Sequence, residues 1–159
     1  MAATALTSES AQAGTRLLTG CALVLIAALY VVGIVSHGVV RHIVQTAPLW
    51  LAVALAKRGS AWSKWAALPC FMVWLLLMAL IWLFLLGWTH VISGTFSAVE
   101  IAMTVIVGLC SATGIVSAIR TKTNVSAAAA FTLFALALFF QLVALRISFL
   151  PAIAHDHWW

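Results

Sequence analysis

Four long apolar runs without a formal charge, separated by short polar breaks, constrain this chain more than any other feature. They cover residues 17–40, 65–99, 101–119 and 123–145, and none contains Asp, Glu, Lys or Arg. A helix crosses the hydrocarbon core with ~20 mostly apolar residues at ~1.5 Å rise each, so each run is long enough to span. The expected architecture is all-α: an integral membrane four-helix bundle in a single domain, residues 1–159, with spans of about 17–40, 66–87, 98–119 and 125–149.

Composition supports lipid as the solvent. The chain is 65% hydrophobic and 7% charged, against about 25% charged residues in a soluble domain. With most residues committed to spans, no extramembrane segment can build a catalytic core of its own. The net charge of +5 comes from cations clustered in short loops, the usual topology signal of a membrane protein. No basic stripe with interleaved aromatics follows a phosphate backbone, so no nucleic-acid partner is expected.

Between the runs the punctuation is informative. Residues 1–15, rich in Ala, Ser and Thr, are expected as a disordered tail. Pro48 suits the first turn of a helix, and Lys57-Arg58-Gly59 suits its end, with cations near the carbonyls and a glycine terminator. The apolar part, 49–56, is too short to span. A short interfacial helix over about 48–58 is therefore expected between the first and second spans. Leu18-Thr19-Gly20-Cys21 spells a lipoprotein box, but its apolar run follows the cysteine instead of preceding it. No small-x-small cleavage site follows the first span, so a cleavable signal peptide is not expected either.

Tryptophan marks the second span. Trp65 and Trp88 bracket 66–87 at a separation of ~35 Å along a helix axis, and Trp62 joins the first of them as an interface anchor. The third span carries small residues at helical spacing, including Gly108 and Ala112, the small-xxx-small pattern that lets membrane helices approach closely. This helix is the expected centre of the bundle.

Ionisable groups inside a membrane are costly and so are suspects for function. Glu100 and Arg146 fall at similar depth and are expected as an intramembrane ion pair. His90, His155 and His157 are candidate ligands for a transition metal, since imidazole suits copper, zinc or nickel. His37 and His42 are candidate ligands for a haem or pigment shared with a partner, because a bis-histidine haem needs two imidazoles at one depth on different helices. No cofactor is expected within the chain alone. The cysteines Cys21, Cys70 and Cys110 stand on different spans without a CxxC pair, which disfavours thiol exchange or structural zinc. Small four-span quinone oxidoreductases that make disulfides need cysteine pairs, which this chain lacks.

With three acidic residues in the chain, paired-carboxylate and carboxylate–metal catalysis are excluded. The expected role is a non-enzymatic accessory, assembly or scaffold subunit of a membrane complex, whose partners are lipid and other membrane subunits or copies of itself. A small oligomeric transporter or proton conductor is one alternative, and a redox subunit binding haem, quinone or pigment beside a partner is another. Four spans with Arg41, Lys57, Arg58, Lys64, Arg120 and Lys122 inside and Arg16 and Arg146 outside would leave both termini outside a bacterial cytoplasmic membrane.

Overall fold

A computed structural model describes the backbone of residues 2–92 and 94–154, and side chains over 12–92 and 94–153. The order is α1 (Ala2–Val35), α2 (Val39–Lys57), α3 (Ser63–Leu85), α4 (Ala98–Arg120), α5 (Ala127–Ser148) and a single turn, α6 (Pro151–Ala154). Five of these helices, not four, are long and apolar enough to cross a membrane. Residues 2–15, expected as a disordered tail, have helical backbone and continue α1. Their alanines and the lack of proline favour that outcome.

The larger correction lies between α1 and α2. The first span stops at Val35 and the next helix starts at Val39, so residues 39–40 leave the first run and join the break at 41–47 and the segment from Pro48 in one helix. The expected short interfacial helix is the second half of a 19-residue helix with Pro48 inside it. At ~1.5 Å per residue that helix is ~28 Å long, close to the ~30 Å hydrocarbon core. Its buried residues are His42, Gln45, Thr46, Leu49, Ala52, Val53 and Ala56, spaced at three and four. The polar side chains that made this segment look like a break all face the protein. Ile43, Trp50 and Leu51 are left on the outside.

The turn joining α1 to α2 has the two-bond geometry of a Schellman motif. Gly38 N–H donates to Gly33 O at 2.8 Å, and His37 N–H to Ile34 O at 3.4 Å. His37 takes the left-handed position, φ 52°, which glycine fills in most such turns and which His adopts at some cost. Gly33 makes the close return possible, because a Cβ there would lie 3.0 Å from Val39 Cα. The same motif ends α2 at Gly59 and α3 at Gly87, both with positive φ.

Helices α1, α2, α3 and α4 form a ring in which each packs on its two sequence neighbours and α4 closes back onto α1. Helix α5 docks outside the ring in the groove between α2 and α3, without touching α4. The core is built from Leu18, Leu25 and Leu29 of α1, Leu49 of α2 and Phe71 and Trp74 of α3, completed by Val107 of α4. The two ends of the described chain lie at opposite ends of the bundle. Gly14 of α1 sits by Thr121, and Ser148 of α5 sits by Gln45.

Helix α4 is not the centre of the bundle. It meets α1 and α3 only, whereas α2 meets three long helices and α3 meets four. Its inward face carries Thr104, Val107, Ser111, Gly114, Ser117 and Ala118. The expected packing pair falls differently: Ala112 is exposed and Gly108 is half-buried, with Met78 Cβ 3.8 Å from where a Cβ would stand. Gly114 is the glycine that packing demands. A Cβ there would meet the buried Phe71 ring at 2.6 Å.

Candidate functional site: a polar clasp inside the helix bundle

Several polar side chains within the spans converge where α2 meets α1 and α5. Gln45 of α2 donates through Nε2 to Ser148 Oγ of α5 at 2.9 Å, and Ser148 Oγ–H donates to Leu145 O at 2.6 Å. Gln141 of α5 reaches back, its Nε2 donating to Gln45 O at 3.1 Å. Gln45, Gln141 and Ser148 are all buried. Toward α1, the Tyr30 hydroxyl accepts from Trp50 Nε1 at 3.0 Å and lies 3.3 Å from Thr46 Oγ1, to which its own proton can donate. Thr46 also lies 2.9 Å from His42 O, a back-bond within its own helix.

His42 opens α2 and is buried at 4% exposure. Its Nδ1 lies 2.8 Å from Gly38 O. A carbonyl can only accept, so Nδ1 carries the proton and Nε2 is the acceptor of the neutral ring. Arg41 next to it stacks over Phe149 at 5.6 Å, a cation–π contact that adds to the α2–α5 seam. Hydroxyls, amides, one indole and one imidazole make up this cluster. They can donate and accept hydrogen bonds, but the arrangement holds no activated nucleophile beside a base.

Some buried polar atoms have no hydrogen-bond partner: Gln141 Oε1, Arg41 Nε, Trp74 Nε1, Ser111 Oγ and Trp65 Nε1. Unpaired groups of this kind cost free energy in a low-dielectric interior. Phe71 meets Gly114 and Met78 faces Gly108, so the antiparallel register of α3 and α4 sets Trp74 level with Ser111.

The structure distributes the residues singled out by sequence. Glu100 and Arg146 lie at the same end of the bundle, but on α4 and α5, which do not touch. The Glu100 carboxylate closes a capping box, accepting from Ser97 N–H and Oγ–H at 2.8 Å each. Its charge sits at a helix N-terminus, where the macrodipole favours it, so no ion pair with Arg146 forms. His37 is exposed in its turn while His42 is buried, and the two do not face a common site. His90 is exposed in the segment between α3 and α4; His155 and His157 lie outside the described residues. Among the described residues no three of His, Cys, Asp and Glu gather around a metal-sized space. Trp62 and Trp65 stand at one end of α3 and Trp88 just beyond the other, as their spacing implies.

Sequence reasoning missed Gln45 and Gln141 because it searched the runs for formal charge. Gln141 is the one amide within 127–148, and that isolation in an apolar helix was the available signal. No known protein family matches the chain, and neither a curated protein nor a solved structure matches it.

Proposed function

We propose that this chain is a small polytopic membrane protein acting as a non-enzymatic accessory, assembly or scaffold subunit of a membrane complex. The carrying observation is how its intramembrane polar groups are used. Gln45, Gln141, Ser148, Thr46, Tyr30 and Trp50 hold α1, α2 and α5 to one another, which is the chemistry of a helical body built to keep its shape. Interhelical hydrogen bonds fix register in lipid, where the hydrophobic effect cannot draw helices together.

The same reading assigns an orientation. Arg16, Lys57, Arg58, Lys64, Arg120 and Lys122 share one end of the bundle and Arg41 and Arg146 the other, still six cations against two. Relative to the four-span expectation, Arg16 and Arg41 have exchanged sides. By the positive-inside rule the six-cation end is cytoplasmic. With five crossings the N-terminal end of α1 is then inside and α5 ends outside, in place of both termini outside.

Purification of the full chain in mild detergent tests the role, and stoichiometric membrane subunits are expected to come with it. A partner-free protein that carries solute flux after reconstitution would overturn it. Reporter fusions after residue 59 and after residue 92 test the orientation, with a cytoplasmic signal expected from the first and an external one from the second.

A further inference from the structure

At the six-cation end, the first turns of α3 and α5 run side by side and leave an apolar cleft of about 410 Å³ between them. Trp65, Val125, Ala127, Ala130, Phe131 and Phe134 line it. Its mouth is cationic. Lys64 Nζ sits 4.5 Å from the centre of the Trp65 ring and donates to Thr121 O at 2.6 Å, which fixes the ammonium beside the cleft with further N–H donors to spare. Lys122 follows Thr121 and is exposed. The acidic residues with described side chains reduce to Glu100, at the opposite end of the bundle; Glu9 stands on the first turns of α1. The indole N–H of Trp65, in the cleft wall, has no acceptor within the protein.

We infer that this cleft seats one anionic phospholipid, with an acyl chain between α3 and α5 and its phosphate at Lys64 and Lys122. Charge complementarity chooses the occupant. An apolar slot alone accepts any acyl chain, but the cation fixed at its mouth, with Lys122 in the adjoining link, selects a headgroup with net negative charge. The site lies apart from the polar clasp and goes beyond the scaffold role, on which it does not depend.

The test uses the full chain in neutral detergent, offered equal amounts of phosphatidylglycerol and phosphatidylcholine, with retained lipid read by native mass spectrometry. Phosphatidylglycerol is expected to be retained several-fold over phosphatidylcholine. Each lysine removed should reduce that preference roughly fivefold, the ratio matching the handicap of one lost cation near a charged surface. Lys122→Gln is exposed and leaves the Thr121 contact intact, so it reads the site even if Lys64→Gln disturbs folding. Lys57→Gln with Arg58→Gln removes two cations from the same end but outside the cleft, and should leave the preference in place. Ala127→Leu, at an exposed wall position, should lower retention of both lipids. Equal loss of preference from the Lys57/Arg58 pair, or no preference in the unmodified chain, would overturn the inference.

Discussion

Helices α4 and α5 follow one another in sequence, are of nearly equal length and similar apolar character, and are held in the bundle by different means. Of the apolar window of α4, 33% is buried, against 17% for α5. Helix α4 approaches closely through small residues: Gly114 lies under Phe71, and Ser117 Oγ donates to Gly14 O of α1 at 2.9 Å. Helix α5 exposes Phe131, Leu136, Phe139 and Phe140 and is fastened by Gln141 and Ser148. Lipid tails are as apolar as leucine, so burying leucine supplies little drive between helices. One helix therefore relies on dispersion at short range and the other on a few hydrogen bonds.

The comparison can be broken, and the largest effect should come from α4. Gly114→Leu places a branched side chain where the Phe71 ring stands and should cost about 3 kcal/mol by overpacking, read as a shift in reversible unfolding by SDS in mixed micelles. A change below ~0.5 kcal/mol would mean that α4 is not held by close approach. Gln45→Leu should cost less, about 1 kcal/mol, and release α5 before the ring. Protease protection of the 121–126 link during the titration reports that order, and simultaneous loss of α4 and α5 would contradict it. A double-mutant cycle between Gln45→Leu and Ser148→Ala should return a coupling of ~0.6 kcal/mol, the average for such bonds in membranes. Gly108→Ala should be the mildest, within ~0.5 kcal/mol of neutral and on the stabilising side, because the added methyl finds ordinary contact and the helix loses a glycine. A cost as large as that at Gly114 would restore Gly108 to the interface.

Much of this architecture was legible in the apolar runs. The runs of α3, α4 and α5 were placed within a few residues, as was the glycine-terminated end at Lys57-Arg58-Gly59. The tight joint after α1 was not, because the run was followed until a charge appeared at Arg41 and so passed over Ser36-His37-Gly38. Gly33 and Gly38, five apart, were the local sign of a chain reversal. Helix α2 was halved for a related reason. Average hydropathy cannot see that His42, Gln45 and Thr46 lie on one face, and one-sided polarity is what a protein-packed membrane helix can tolerate. The site residues were the least legible, since charge drew attention to Glu100 and Arg146 while uncharged amides make the contacts. Glu100 could have been read as a cap: Ser97 three residues before it is the signature of a capping box.

The joint at His37 bears on biogenesis. Helix α2 is the least apolar of the five, and its polar face has Tyr30 of α1 as a partner. A three-residue link makes that partner available as soon as both segments have left the ribosome. Partitioning of α2 therefore depends on its predecessor, and the two should enter the bilayer as one hairpin. Lengthening that link would expose His42 and Thr46, which face α1, to acyl chains during insertion and send a fraction of newly made chains to quality-control proteolysis.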